Sequence, residues 1–201
     1  FSAKIVYYTF SPDYNAGTNY DIVAHYSDAQ TSTHDEDGVK WQESDLADLF
    51  LDPNVRKMDL QHGYRAQTQM GSMLMYHAIK EEAYKNKGKG SDLVRYVENL
   101  MANPNNIVFL FGSVFGGTGA SSIPVLPHAL QEAAKIISKE SSGDVLSKNY
   151  FGTVMLTNYF SFDVPNTHEA VYATSDKFAL NSQAALSFYN EDETVRDTYK
   201  R

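Results

Sequence analysis

The chain of 201 residues is long enough for one sizeable hydrophobic core, and a hydrophobic content of 42% is that of a folded globular protein. Its formal net charge of -8 argues against a general nucleic-acid binder, which would carry a basic face. The absence of cysteine excludes disulfides and cysteine metal sites, and no apolar run approaches the roughly 20 residues of a membrane span. We therefore expect a cytoplasmic protein without a membrane span or a nucleic-acid partner.

The first third of the chain has one apolar segment followed by polar ones. Residues 3–10 are mostly β-branched or aromatic, which predicts a strand. In the polar loop that follows, Asp13 stands close to the end of this strand and is a candidate metal ligand, with a plain polar turn as the alternative. Residues 27–38 are polar and acidic and predict a solvated loop, whereas residues 44–51 predict a short helix.

The rest of the chain alternates helical and extended patterns. Spacing and composition predict helices over residues 72–87, 92–101 and 175–190 and strands over residues 107–111 and 150–157. The 107–111 strand is apolar at every position, so we expect it to be buried on both faces. A strand, a helix and a second strand at this spacing form a βαβ unit, which requires parallel pairing of the two strands.

A glycine-rich segment follows the 107–111 strand, and helical spacing resumes from Ile123. A strand, a glycine-rich loop and a helix in this order are typical of phosphate sites. Glycine allows positive φ and close approach of the backbone, and the first N–H groups of the helix point at the anion. Glycines that only bring a helix close to a sheet are the structural alternative. The segment contains Gly112, Gly116, Gly117 and Gly119, with Thr118, Ser121 and Ser122 among them.

Two common nucleotide motifs fit this segment poorly. A P-loop requires a lysine after its second glycine, and no lysine follows Gly119 before Lys135. The dinucleotide fingerprint G-x-G-x-x-G is matched at Gly117 and Gly119 but has Ser122 in place of its third glycine. Short-chain dehydrogenase loops contain similar runs, but they follow the first strand, whereas half of this chain precedes the segment.

A third motif fits better. Residues 115–121, FGGTGAS, with Pro124 after them, resemble the G-G-G-T-G-[ST]-G box of the tubulin/FtsZ superfamily. Phe115, Ala120 and Ser121 depart from the box, since they replace its first glycine, its hydroxyl residue and its last glycine. The order of the surrounding elements also resembles that family.

This resemblance implies an α/β fold: a Rossmann-like three-layer GTP-binding domain with a mainly parallel sheet. Residues 1–201 would form a single domain, a fragment that lacks the family's first strand and its C-terminal part. The family binds GTP and assembles into filaments, so the resemblance implies self-association controlled by the nucleotide. Hydrolysis is expected only with segments absent from this chain, and no catalytic residue is assigned.

The resemblance also assigns the site residues. In the family a loop before a helix wraps the γ-phosphate, and Gly63, Tyr64 and Arg65 occupy that place. Because the chain is acidic and the segment has no lysine, we expect Mg²⁺ to offset the phosphate charge, with Asp13 as its ligand. The implied nucleotide contacts are Gly63, Tyr64, Arg65, Gly116, Gly117, Thr118, Gly119, Ala120, Ser121 and Asn158.

Two functions of other classes remain open. One is an NAD(P)-dependent oxidoreductase that uses the same glycine-rich segment. Tyr76 and Lys80 have the Tyr-x-x-x-Lys spacing of short-chain dehydrogenases, but they precede the segment, which is the wrong order. The other is a structural module whose assembly does not depend on a nucleotide.

In the last helix, Asn181 and Gln183 are polar candidates for ligand contact, although such residues usually face solvent.

Overall fold

The computed structural model of the chain describes residues 30–34, 39–42, 64, 66–139, 145–161 and 173–199. We number the elements of these residues in chain order. The strands are β1 (Gln30–His34), β2 (Val39–Gln42), β3 (Ile107–Ser113) and β4 (Tyr150–Leu156). The helices are α1 (Thr68–Asn86), α2 (Asp92–Ala102), α3 (Thr118–Ser138), α4 (Phe178–Glu191) and α5 (Glu193–Thr198), with a 3-10 turn at Ser175–Lys177 before α4.

The predicted helices and strands from residue 72 onward are confirmed, with shifts at their ends. The predicted loop at residues 27–38 is wrong in part, because β1 and β2 pair as an antiparallel hairpin. Threonine favours strands, and this local preference outweighs the polarity that predicted a loop. The strand at residues 3–10, the loop with Asp13 and the helix at residues 44–51 lie outside the described residues.

Strands β3 and β4 pair in parallel, as the βαβ pattern predicts. Their register runs from Ile107 opposite Tyr150 to Ser113 opposite Leu156. The crossover between them contains α3, which packs against α1, α2 and β3. The described part of the chain is therefore a mixed helix–strand fold in which a parallel strand pair rests on a layer of helices.

The prediction that β3 is buried on both faces is wrong for one face. Val108 and Leu110 pack against the helical core, whereas Ile107, Phe109 and Phe111 are 65%, 58% and 76% exposed. Helices α1, α2 and α3 contribute to one core, and that core contacts a single face of the strand pair. An apolar run alone does not reveal whether both faces of its strand are covered.

The core of the described fold lies between α1, α2 and α3. Helix α2 begins at Ser91, whose hydroxyl accepts a hydrogen bond from Val94 N at 3.4 Å, a normal N-cap arrangement. Helices α1 and α3 approach closely at Gly71, where an added Cβ would meet the Tyr64 ring and the Ser121 side chain. The fully packed members of this core include Leu74, Ala83, Val94, Val97, Leu130 and Ala133.

Candidate functional site

The glycine-rich turn, which we define as residues 114–120, connects β3 to α3 at the carboxyl end of the parallel strands. Val114 N donates to Leu156 O at 3.0 Å, so the parallel pairing continues one residue past β3. Helix α3 begins at Thr118 rather than near Ile123, and Gly117 is its N-cap residue. The second half of the predicted phosphate loop is therefore the first turn of a helix of 21 residues.

Two glycines of the turn are required by packing. A Cβ on Gly119 would lie 2.7 Å from Ser113 N and closer still to Ser113 O, so glycine allows α3 to contact the end of β3. A Cβ on Gly117 would lie 2.7 Å from Ala66 N and 2.8 Å from Tyr64 C. Gly117 has φ −79°, which any residue adopts, so close approach and not positive φ explains the glycine here.

Gly116 differs from its two neighbours. A Cβ on Gly116 would meet only Ser113 Oγ, at 3.3 Å. Gly116 also lines a cavity of about 460 Å³ that lies between the glycine-rich turn, the start of α1 and one side of α4. This volume is within the range of small-molecule sites, about 300–1,000 Å³. Its lining residues are Ala66, Thr68, Gln69, Ser72, Val114, Gly116, Ala120, Pro124, Asn181, Ala184, Ala185, Phe188 and Tyr189.

The first turn of α3 offers backbone donors beside this cavity. The first N–H groups of any helix have no acceptor within the helix. Among the described residues, no protein acceptor takes the N–H groups of Thr118, Gly119 or Ala120, and the N-cap residue Gly117 has no side chain that could accept from them. The first turn of α3 carries no acidic residue either. Its partial positive charge is therefore not neutralised by a neighbouring carboxylate of the turn itself.

The start of α1 forms the opposite side of the cavity. Gln67 N donates to Tyr64 O at 2.7 Å and closes a turn that leads into the helix. Within this turn Ala66 has φ 63°, a left-handed conformation that costs a non-glycine residue roughly 1 kcal/mol or more. Strained backbone of this kind is concentrated at ligand sites. Ala66 lines the cavity and abuts Gly117.

The other predicted site residues are spread more widely. Tyr64 is buried, and its ring packs at Gly71. Ser121 is fully buried, and its hydroxyl donates to Thr118 O at 3.0 Å. Thr118 and Asn158 are exposed, and neither lines the cavity. Gly63, Arg65 and Asp13 lie outside the described residues.

Helix α4 brings residues to the cavity that the motif did not indicate. Asn181 Nδ2 donates to Phe115 O at 3.2 Å, and Tyr189 Oη donates to Ala120 O at 2.6 Å. Asn181 lines the cavity, whereas Gln183, the other polar candidate of this helix, is exposed. A signal for Tyr189 exists in the sequence, since Pro124 leaves the carbonyl of Ala120 without a helical donor. The sequence does not say which residue supplies that donor.

The two tyrosines that contact α3 are neutral donors. Burial raises the pKa of Tyr189 well above its ordinary value. Burial raises the pKa of Tyr199 in the same direction, and so does the negative charge that Tyr189 carries once it is ionised. Tyr199 Oη donates to Ile123 O at 2.6 Å. Both hydroxyls therefore keep their protons, and their hydrogen bonds, throughout the physiological pH range.

The cavity has no charged side chain among its described lining residues. A bound phosphate would thus be held by backbone N–H groups, by hydroxyl and amide groups and by the dipole of α3. Within the ranges that the structure describes, no group of three or more histidine and acidic residues is arranged to hold a metal ion. A cation that accompanied the phosphates would depend mainly on the phosphate oxygens themselves, as Mg²⁺ commonly does.

A second cavity, of about 330 Å³, lies between α3, α5 and the turn before β4. His128 Nε2 and Thr198 Oγ1, which line it, are 3.2 Å apart, a spacing that suggests a base and a nucleophile. However, the Thr198 hydroxyl donates its single proton to Thr194 O at 2.9 Å. While the Thr198 hydroxyl donates to Thr194 O, it can only accept from His128 Nε2, and in this arrangement His128 does not act as its base.

Comparison with protein-family models, with curated proteins and with solved structures gave no match for this chain. Of the helices that the structure describes, none combines the length and the apolar character that crossing a membrane requires. The class that can be stated is a mixed helix–strand protein. Its parallel strand pair leads, through a glycine-rich turn, into a helix that starts beside a cavity.

Proposed function

We propose that the protein binds GTP with Mg²⁺ in the cavity beside the glycine-rich turn, with the phosphates at the first turn of α3. The observation that carries this proposal is the meeting of two features in one place. A cavity of about 460 Å³ is lined by Gly116 and Ala120, and the N–H groups of residues 118–120 have no acceptor among the described residues. Of these three residues Ala120 lines the cavity, and Thr118 and Gly119 precede it in the same helical turn. A helix start with free N–H groups favours an anion.

The surroundings of the cavity support a triphosphate more than a small anion. Its volume exceeds what a single phosphate needs, and the side formed by α4 is apolar at Ala184, Ala185 and Phe188. Apolar and aromatic side chains of this kind suit the flat faces of a nucleobase. Tyr64 and Ala66 lie against Gly117, on the side that the family resemblance assigns to the γ-phosphate.

The wider architecture belongs to the same proposal. The parallel pair β3–β4 would be part of a larger, mainly parallel sheet in a Rossmann-like three-layer domain. The nucleotide would control self-association into filaments. The likeness of residues 115–124 to the tubulin/FtsZ box supports this part of the proposal.

Gly116 is the best position at which to test the nucleotide site. Substitutions at Gly117 or Gly119 would disturb packing against Tyr64 or Ser113 and would confuse loss of binding with loss of fold. Gly116→Asp introduces a negative charge into the cavity, and Gly116→Asn introduces a side chain of the same shape without the charge. We expect Gly116→Asp to weaken the binding of GTP–Mg²⁺, measured by calorimetry, at least tenfold more than Gly116→Asn does.

The outcome that contradicts the proposal is equal affinity for GTP–Mg²⁺ in the wild-type chain and in Gly116→Asp, or no binding to the wild-type chain. A thermal-shift comparison of GTP–Mg²⁺ with NADP separates the oxidoreductase alternative, because the true ligand raises the melting temperature by binding the folded state. Pelleting with and without GTP separates the nucleotide-independent structural module, which would sediment equally in both.

A further inference from the structure

Helix α3 contains two prolines, and each one leaves a backbone carbonyl without its helical partner. Proline has no N–H group, so Pro124 cannot donate to Ala120 O, and Pro127 cannot donate to Ile123 O. A buried carbonyl without a donor is costly, by about 1–3 kcal/mol. The helix nevertheless continues through both prolines, from Thr118 to Ser138. Both carbonyls must therefore find donors outside the helix.

The two donors come from one segment of the chain. Tyr189 of α4 donates to Ala120 O, and Tyr199, directly after α5, donates to Ile123 O, each at 2.6 Å. The partners are 69 and 76 residues apart in the sequence. The same arrangement thus occurs twice: a tyrosine hydroxyl donates to a backbone carbonyl that has no helical donor because of a proline. Together the two contacts attach α4 and α5 to the first half of α3.

The two tyrosines differ in their relation to the cavity. Tyr189 and its acceptor residue Ala120 both line it, whereas neither Tyr199 nor Ile123 does. The N-terminal half of α4 is attached to the glycine-rich turn by two contacts with Phe115, since the Phe178 ring packs 4.6 Å from the Phe115 ring and Asn181 Nδ2 donates to Phe115 O. Near the C-terminal end of α4, Tyr189 makes the corresponding contact with Ala120 O. Within the described structure its buried residues are Phe178 and Ser182, and Phe188 is 50% exposed.

We propose that Tyr189 is a positioning residue of the nucleotide cavity, whose hydroxyl holds α4 in place as the outer side of the site. The identity of the ligand rests on the proposed function, but the positioning of α4 does not. The hydroxyl acts on the backbone of Ala120, which belongs to the glycine-rich turn, and so connects the helix that closes the cavity to the helix that offers the N–H donors. Without this hydroxyl the aromatic and alanine side of the cavity loses its attachment near the C-terminal end of α4.

The experiment compares Tyr189→Phe with Tyr199→Phe. Each variant removes the hydroxyl that donates to a carbonyl without a helical partner, so both should lower the melting temperature to a similar degree. Only Tyr189→Phe should weaken GTP–Mg²⁺ binding, by about tenfold or more, with Tyr199→Phe within about twofold of the wild-type chain. In the absence of ligand, Tyr189→Phe should also speed hydrogen–deuterium exchange of the amides at residues 184–188 more than Tyr199→Phe does.

A third variant tests whether Tyr189 matters because it holds α4 in place or only because it supplies a hydrogen-bond donor to Ala120 O. Pro124→Ala supplies an N–H group that can donate to Ala120 O within the helix. In Pro124→Ala/Tyr189→Phe the melting temperature should recover relative to Tyr189→Phe, while GTP–Mg²⁺ affinity stays low and exchange in α4 stays fast. Pro124→Ala alone is the control, because Pro124 itself lines the cavity.

Three results would overturn the inference. The first is that Tyr189→Phe and Tyr199→Phe have the same affinity for GTP–Mg²⁺ and the same rate of hydrogen–deuterium exchange in α4. The second is that Pro124→Ala/Tyr189→Phe recovers its affinity for GTP–Mg²⁺ together with its melting temperature. The third is that α4 exchanges in Tyr189→Phe at the same rate as in the wild-type chain. If the wild-type chain binds no GTP, the proposed function fails, and the exchange measurements alone decide the role of Tyr189.

Discussion

The hydroxyl of Tyr199 donates to the carbonyl of Ile123 at 2.6 Å, in the place where a helical N–H group would donate if residue 127 were not proline. A proline inside a helix normally costs about 3 kcal/mol or more, partly through the missing hydrogen bond. Here a side chain from α5's C-terminal end replaces that hydrogen bond. The stability of α3 and the placement of α5 are therefore coupled, and this coupling is measurable.

The coupling between Tyr199 and Pro127 predicts a non-additive pair of substitutions. Tyr199→Phe alone leaves Ile123 O without a donor, so we expect the free energy of unfolding to fall by about 1–3 kcal/mol. In a Pro127→Ala background the helix supplies its own donor, and the same substitution should cost less than about 1 kcal/mol. Urea denaturation of the four proteins of the cycle measures the difference.

Tyr150→Phe is the matched control for this cycle, because Tyr150 is 45% exposed on β4. That variant should leave the free energy of unfolding within about 0.5 kcal/mol of the wild-type value. Equal costs of Tyr199→Phe in the presence and absence of Pro127 would contradict the account of the Ile123 carbonyl.

Substitution by alanine should lower the free energy of unfolding at one glycine of the turn and leave it nearly unchanged at another. Gly119→Ala places a methyl group against the backbone of Ser113, so we expect a loss of about 2 kcal/mol or more in the free energy of unfolding. Gly116→Ala meets only Ser113 Oγ at 3.3 Å, and we expect a change within about 0.5 kcal/mol. Urea denaturation checks both values. Similar losses in the two variants would mean that Gly116 is a packing glycine like Gly119.

The buried tyrosines predict alkaline loss of stability. Burial raises the pKa of Tyr189 and Tyr199 above the ordinary value of about 10. Below pH 10 both states keep these protons, and stability does not change with pH through these groups. Above pH 10 the unfolded chain releases them while the folded chain retains them. The free energy of unfolding should then fall by up to about 1.4 kcal/mol per pH unit for each tyrosine.

The test of this pH dependence uses urea denaturation at pH 9, 10 and 11. Tyr189→Phe/Tyr199→Phe should be less stable at neutral pH but should lose stability less steeply above pH 10. Tyr159→Phe is the control, because Tyr159 is 71% exposed. An unchanged slope in the double variant would show that other groups govern alkaline unfolding.

Adjacent residues of β3 should differ sharply in their importance for stability. Leu110 packs against the helical core, whereas Phe111 is 76% exposed on the opposite face. We expect Leu110→Ala to lower the free energy of unfolding by about 2 kcal/mol or more and Phe111→Ala to change it by less than about 1 kcal/mol. Chemical denaturation of the two variants and the wild-type chain measures both changes in the free energy of unfolding. A larger loss for Phe111→Ala would show that its face of β3 is covered in the folded protein.

Much of the described fold was predictable because it depends on local pattern. The spacing of apolar residues in α2 and β4 is a property of neighbouring residues, so the bounds of these elements agree with the prediction to within one residue. The exposure of Phe109 and Phe111 was not predictable, since it depends on which elements cover the second face of the strand pair. The β1–β2 hairpin was missed because the residues of β1 are all polar, and because the apolar alternation of β2, at Val39 and Trp41, covers only four residues.

The candidate site divides in the same way. The motif indicated Gly116 and Ala120, which line the cavity, but it gave equal weight to Gly117 and Gly119, which lie against other parts of the backbone. It also indicated Ser121, whose hydroxyl is engaged with Thr118 O inside α3. A motif records which residue types occur, whereas the role of each glycine depends on the atoms that approach it from elsewhere in the chain.

The sequence by itself determined the strand, the glycine-rich turn and the helix with its two prolines, because these follow from steric and hydrogen-bonding preferences of consecutive residues. Only the tertiary structure decided that α4 faces this turn and that Tyr189 donates to Ala120. The physical reason is distance along the chain. A hydrogen bond between residues 69 positions apart depends on the packing of every element between them, and no local pattern encodes it.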